Sequence, residues 1–400
     1  MTVASPGNSD AGTPDPRGDR LDSTPVPIPD GLSQERHHFV LSKNSSQRLD
    51  TYLHSRLKGI SRHQVQKLIT LGGVLLNDRI PKPSASLRCG DVVEVLMPPR
   101  PTVEMNPQPM PLKIIHEEPG FIVINKQAGL IVHPARSHLH GTLLNGLAHH
   151  FQEENQTLSS VGRREARPGV IHRLDMNTTG VIVVAKQDSA HWAIAKQFED
   201  RSTLKAYLAV VHGAPNEAGG VIDQPIGKHP TIHEAQSIRH DSSGKPSVTI
   251  FRVLERYHGY SLVELELRTG RTHQIRVHLS YLGHPLVGDI IYGGEVVGLP
   301  EIDQPPPPAG ARPYLAFART KEQGTRIEQL ARKRADVIMS TPALHAALLR
   351  FSHPDSQKPV TFTAPVPQPL ATLIGHLRAH LKPGPVATDG CHVNLNQAVP

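Results

Sequence analysis

Arg167-Pro168-Gly169-Val170-Ile171-His172-Arg173-Leu174-Asp175-Met176-Asn177-Thr178-Thr179-Gly180 runs directly into Val181-Ile182-Val183-Val184-Ala185. A proline–glycine turn leads through a charged stretch into consecutive β-branched residues, which read as a buried strand. Asp175 stands at the junction, beside Arg173 and ahead of Thr178 and Thr179. An acid in that setting can be a turn-forming Asx cap, the commoner role. It can also be a nucleophile, because cationic neighbours keep a carboxylate ionised in a dry cleft and an ionised, positioned carboxylate can attack a sugar carbon. The residues alone leave both roles open.

Outward from this stretch, strand-like runs at Phe121–Ile124, Ala206–Val211, Val248–Leu254 and Leu262–Leu267 join Val181–Ala185. Helical periodicity appears at Leu143–His150, Ala190–Phe198 and His273–Leu282. The pattern predicts an α+β domain over residues 112–385, a mixed and largely antiparallel sheet with flanking helices. Thr272 is the expected cap of the last helix. Ile275, Leu279 and Leu282 form its apolar stripe and His273, Arg276 and Ser280 its polar one, so spacing alone makes Arg276 a solvated helix arginine. Tyr207 shares a strand face with Lys205 and Ala209. Glu264 and Glu266 alternate with Val263, Leu265 and Leu267 and read as the outer face of their strand. Residues 295–342, with Pro305–Pro308 and a basic helix-like stretch from Thr325 to Met339, read as a long surface insertion.

The N-terminal third is organised differently. Residues 1–36 are rich in Ser, Pro, Gly and Asp, without apolar periodicity, and predict a disordered tail. Residues 37–98 form a small α/β module: Leu49, Tyr52, Leu53 and Leu57 recur at helical spacing, Ser61 opens a second helix through Val65, Leu68 and Ile69, and two short strands follow. Residues 99–111 are a Pro-rich linker, and residues 386–400 a C-terminal tail. The tail holds Asp10, Asp15, Asp19, Asp22, Asp30 and Glu35 against only Arg17, Arg20 and Arg36, so the formal net charge of +7 is concentrated in the rest of the chain. A basic body suits a polyanionic partner.

With 400 residues there is room for more than one domain. No run approaches the ~20 apolar residues of a membrane span, so a soluble protein is expected. Cys89 and Cys391 cannot build a disulfide framework and suggest a reducing compartment; with no signal-peptide pattern, the expected location is the cytoplasm. The 25 histidines are scattered without convincing ligand spacing, and no metal is expected. Nor does any Gly-rich nucleotide-binding loop appear.

The motif H-R-L-D-x-x-T-T-G followed by V-V-A-K resembles the catalytic signature of the pseudouridine synthases of types D and C that act on the large ribosomal subunit. Further segments occur in that family's order: Ile124–Pro134, Gly141–Leu147, Lys205–Gly213, Thr269–His278, His284–Asp289 and Leu344–Ala346. R-L-D-x-Y-L, S-R-x-x-V-Q-K-L-I, G-x-V-x-x-N and G-D-x-V-E-V in the leading module resemble the RNA-binding domain named after small-subunit ribosomal protein four. The resemblance implies isomerisation of uridine to pseudouridine in RNA, with ribosomal RNA the first candidate and transfer RNA the second. It implies Asp175 as nucleophile, Tyr207 as stacking platform and general base, and Arg276 as the partner of Asp175. Arg173, Arg62, Lys67 and Arg271 are the expected RNA contacts, in a monomer without cofactor. Thr179, Gln127 and Pro342 depart from the usual family residues. Two other readings stand beside this one: an idle RNA-binding assembly factor, and a glycosidase pairing Asp175 with Glu264 or Glu266.

Overall fold

The computed structural model describes residues 35–57, 62–97, 106–134, 140–154, 156–162, 167–303, 336–381, 383–384, 386 and 390–398. Most of the N-terminal tail, Ser61, the start of the Pro-rich linker and the centre of the 295–342 insertion lie outside the described residues. The chain divides into two compact units, Met1–Pro101 and Thr102–Pro400. Among the described residues, no helix is long and apolar enough to cross a membrane.

In the first unit, strands β1 (Glu35–Val40), β2 (Val74–Leu76) and β3 (Val92–Met97) form an antiparallel sheet in the order β1-β3-β2. Helices α1 (Leu49–Arg56) and α2 (Arg62–Thr70) contribute Leu49, Leu53, Val65 and Ile69 to its core, against Val74 and Val93. Asp50 is fully buried and accepts hydrogen bonds from Arg48, Arg62 and Gln66. Burial opposes its charge, but these three donors outweigh that cost and hold its carboxyl well below the usual range. The R-L-D and S-R-x-x-V-Q motifs therefore converge on one buried carboxylate that ties α1 to α2.

The second unit is built on a nine-stranded sheet. In chain order its strands are β4 (Ile114–Glu117), β5 (Phe121–Lys126), β6 (Thr179–Ala185), β7 (Leu204–His212), β8 (Gly219–Asp223), β9 (Val248–Tyr257), β10 (Tyr260–Leu267), β11 (Leu344–Ser352) and β12 (Pro359–Thr363). The spatial order is β8-β9-β10-β7-β11-β6-β5-β4, with β12 also on β11. Among the described strands only β6 and β11 pair in parallel, so the sheet is mixed and largely antiparallel, as the strand pattern predicts. Helices α3 (Leu143–Glu153) and α5 (Gln274–Tyr281) cover one face through Leu143, Leu147, Phe151, Ile275 and Leu279. The other face packs against α4 (Asp188–Glu199) through Ile194 and against α6 (Gln368–His380) through Leu370, Leu373 and Leu377.

Alternation on β7 places Tyr207, Ala209 and Val211 on the α3/α5 face and Leu208 and Val210 on the opposite one. On β10, Val263 and Leu265 share the Tyr207 face, so Glu264 and Glu266 point the other way. They are not solvated, however, contrary to the outer-face reading. Glu264 accepts backbone N–H groups of His392 and Val393, and Glu266 is held by Arg252, Arg268 and His392.

The parallel contact of β6 with β11 explains two motif positions. Gly180 pairs with Ala346 at φ +111°, and a Cβ on it would lie 2.1 Å from the Ala346 carbonyl oxygen. Beside it, Thr179 Oγ1 is 2.8 Å from His345 Nδ1, while His345 Nε2 donates to the Ala364 carbonyl at 3.0 Å. With burial keeping His345 neutral, Nδ1 accepts the hydroxyl proton; threonine serves this contact as well as serine. Gly180→Ala is expected to cost about 3 kcal/mol or more through backbone clash and strain, read as a lower urea midpoint. Gly270→Ala, with nothing within 4 Å of the new Cβ, should shift it by about 0.5 kcal/mol or less.

Candidate active site

A cleft of about 500 Å³ opens on the α3/α5 face, and Asp175, Tyr207 and Arg276 all line it. Asp175 lies in the turn before β6, Tyr207 on β7 and Arg276 on α5, so three separated motifs converge. Arg173 and Arg271 line the same cleft with exposed side chains. Arg62 and Lys67 belong to the other unit. Lys67 is exposed, but Arg62, half exposed at 48%, spends its guanidinium on Asp50, which makes it first a structural residue.

The turn that carries Asp175 is fastened by a buried lysine. Lys126, at the end of β5, is 0% exposed, and its ammonium donates to the carbonyls of Gln127 (3.0 Å), Leu130 (2.8 Å) and Met176 (2.9 Å). The last of these carbonyls follows Asp175 directly. Gln127 contributes only its backbone here, so the departure at that position leaves the anchor intact. Burial pushes the Lys126 ammonium down to about 7, with Asp175 pulling in the opposite direction. The sequence signal for this residue is a lysine two positions past the apolar run Phe121–Ile124, at the end of the same strand.

Arg276 is 7% exposed, which overturns its reading as a solvated helix arginine. Its Nε and Nη2 donate to Asp289 at 2.7 Å each, and its Nη1 lies 3.8 Å from Asp175 Oδ2. The tight partner is thus Asp289, in the His284–Asp289 motif, and Asp175 is the looser one. Burial disfavours the guanidinium's charge, yet the paired Asp289 drives its pKa upward.

Helix α5 begins one residue later than the periodicity predicts. His273, not Thr272, holds the cap position, in the left-handed conformation at φ 56° and ψ 19°. The turn is braced by Gln274, whose amide oxygen accepts from Thr269 Oγ1 (2.8 Å) and the Arg271 N–H (3.0 Å) while its amide nitrogen donates to the Val248 carbonyl and Thr249 Oγ1, both at 3.0 Å. Every polar atom of that side chain is used.

The electrostatics set Asp175 and Tyr207 apart. Burial raises the Asp175 pKa, but His273, which is charged only at the low pH where this carboxyl titrates, together with Arg276, Arg173 and Lys126 outweighs it, and the net shift is downward. Tyr207 is driven upward by burial and by the Asp175 charge, so it rests as a neutral phenol. His172 accepts from the Val183 N–H at 3.1 Å, stacks on Phe198 and is pushed down to about 3 by burial. It is a structural hydrogen-bonder.

Two His–carboxylate clusters, Glu117/His150/Glu154 and Glu118/His353/Asp355, do not line the cleft. Glu117 binds Lys186 at 2.7 Å and His150 at 2.8 Å. His353 Nδ1 accepts the Asp355 N–H, placing its proton on Nε2 toward Glu118.

Comparison with known proteins gives these residues their setting. The sequence profile of RNA pseudouridylate synthases matches residues 120–281, and that of the S4 domain residues 47–93. An uncharacterized RNA pseudouridine synthase of Bacillus subtilis, YlyB, is 37% identical over 84% of this chain and 96% of its own. Ribosomal large subunit pseudouridine synthase D of Escherichia coli O6:H1 is 36% identical over 85% of this chain and 94% of its own. The solved structure of human RNA pseudouridylate synthase domain containing 1, 27% identical, covers 74% of this chain and 94% of that one with a TM-score of 0.45. The chain is an RNA-acting isomerase. It belongs to the RNA pseudouridine synthase family, in the form that carries a leading S4 domain.

Asp289→Asn leaves a buried guanidinium without its close counter-charge and should lower unfolding free energy by about 3–5 kcal/mol in urea titration. Asp175→Asn, on a side chain 20% exposed and 3.8 Å away, should cost far less.

Proposed function

We propose that this enzyme isomerises uridine in large-subunit ribosomal RNA, with Asp175 as nucleophile, Tyr207 as proton-handling and stacking residue, and Arg276 as the cation that orients Asp175. The observation that carries this reading is the ionised carboxylate of Asp175 in one cleft with a buried neutral phenol and a buried arginine. The name of the Escherichia coli relative supports ribosomal RNA over transfer RNA.

The bond changes suit these groups. An oxygen of Asp175 attacks C1′ of the ribose, the C1′–N1 bond breaks, and uracil leaves as an anion while an ester forms. Uracil turns, C5 attacks C1′, and the ester bond breaks to return the carboxylate. The proton that leaves C5 equals the one that N1 gains, so a single phenol that gives one and takes the other balances the exchange. Esterification removes the Asp175 charge that raises Tyr207, so the phenol becomes more acidic when uracil needs a proton. Since nothing is oxidised and no water is consumed, the proposal includes neither metal nor organic cofactor, and it takes the enzyme as a cytoplasmic monomer.

A target base stacked in RNA has to be flipped into the cleft at a cost of a few kcal/mol. Arg173, Arg201, Arg268 and Arg271 line its walls and suit the flanking phosphates. Lys67 offers a further cation on the S4 unit, and RNA affinity is expected to fall with salt.

The test is tritium release from RNA labelled at C5 of uracil. Wild-type protein should release tritium from ribosomal RNA, Asp175→Ala none, and Tyr207→Phe should bind but release little. Release from transfer RNA alone would move the substrate, and tight binding without release from any RNA would favour the idle assembly factor. Because Asp175 is held below the usual aspartate range, its carboxylate persists as pH falls, and the rate should show no acid limb from this group between pH about 5 and 8.

A further inference from the structure

Tyr292 and His273 are hydrogen-bonded to each other, and the far edge of the imidazole faces Asp175. The Gln236 backbone N–H donates to the Tyr292 hydroxyl at 2.9 Å, and that hydroxyl lies 2.7 Å from His273 Nδ1. A backbone N–H only donates, so it occupies a lone pair of the phenol oxygen and leaves the phenol proton to be given. Among the described contacts its acceptor is Nδ1. Burial, reinforced by Arg276 and opposed by Asp175 and Asp289, pushes His273 down to about 4, so the ring is neutral and carries one N–H. With Nδ1 accepting, that N–H is on Nε2.

Nε2 lies 3.9 Å from Asp175 Oδ2, and Arg276 Nη1 lies 3.8 Å from the same oxygen. Both groups approach Oδ2. The backbone of His273 is also left-handed, a conformation that β-carbon-bearing residues adopt at some cost and that concentrates at functional sites.

We infer that His273 is a positioning residue of this enzyme: Tyr292 locks its tautomer so that Nε2–H and Arg276 together grip Oδ2 of Asp175, leaving Oδ1 to attack the sugar. The inference rests on the reaction proposed above. A separation near 3.9 Å is long for a hydrogen bond in the resting site, and such contacts tighten when substrate fills a cleft.

Asparagine tolerates the left-handed conformation, but its amide reaches only the Nδ1 position; glutamine places an N–H near Nε2. His273→Asn should therefore keep its melting temperature and RNA affinity while its single-turnover rate falls roughly 10- to 100-fold, the worth of one hydrogen bond to a charged group. His273→Gln should recover most of that loss, and Tyr292→Phe should lose less than His273→Asn. Nitrogen chemical shifts of ¹⁵N-histidine-labelled protein read the tautomer without RNA, with Nδ1 of His273 unprotonated as the expected result. A wild-type rate in His273→Asn, a glutamine variant no faster than asparagine, or a protonated Nδ1 would each overturn the inference. If wild-type protein releases no tritium from any RNA while the tautomer is as expected, the proposed reaction fails and the role assigned to the imidazole falls with it.

Discussion

A guanidinium taken out of water must be neutralised where it lies, and Arg276 imposes that requirement on the catalytic unit. Asp289 answers it with both oxygens, which fixes the segment after α5 against the helix. The same segment brings Tyr292, whose ring lies 4.8 Å from the Arg276 guanidinium carbon and whose hydroxyl meets His273. With Nε and Nη2 committed to Asp289, the Nη1 edge is the one turned to Asp175. The environment of Asp175 follows in large part from one buried ion pair and from the loop that supplies it.

The architecture was legible in the sequence because apolar alternation and helical periodicity are local signals. The run Val181–Ala185 locates β6, although pairing with β11 extends it back to Thr179. Burial of polar side chains is not local. Arg276 sits in the polar stripe of its helix, and only a distant aspartate makes its burial tolerable. Glu264 and Glu266, read as the outer face of their strand, do point away from Val263 and Leu265, but residues near the C-terminus cover them, which alternation along one strand cannot register. That same facing removes the glycosidase reading, since neither glutamate shares the cleft with Asp175. Motif resemblance grouped Asp175, Tyr207 and Arg276, which spacing did not, and the three line one cleft; yet it left Lys126 and Asp289 inside quoted motifs without roles.

The S4 unit obeys the same logic on a smaller scale. Two arginines and a glutamine converge on Asp50, a carboxylate at 0% exposure, so the conspicuous charges of its motifs stabilise the helix pair before they meet any RNA. A count of basic residues overstates the surface available to phosphates. Lys67, exposed on α2, remains free of that commitment.

The choice of arginine beside Asp175 has its explanation in Lys126. Both cations are buried near the same carboxylate, and burial brings the ammonium down to about 7, within the range where it loses its proton. A lysine in place of Arg276 would meet the same desolvation. The guanidinium, with its far higher intrinsic pKa and a fork that matches Asp289, stays charged across the neutral range. Burial raises both Asp175 and Tyr207: it keeps the phenol protonated, while the non-titrating Arg276 helps to hold the carboxyl ionised against it. An ionised carboxylate and a neutral phenol in one cleft are therefore properties of the surroundings, and the ion pair between α5 and Asp289 supplies a charge beside Asp175 that, unlike that of Lys126, does not titrate near neutral pH.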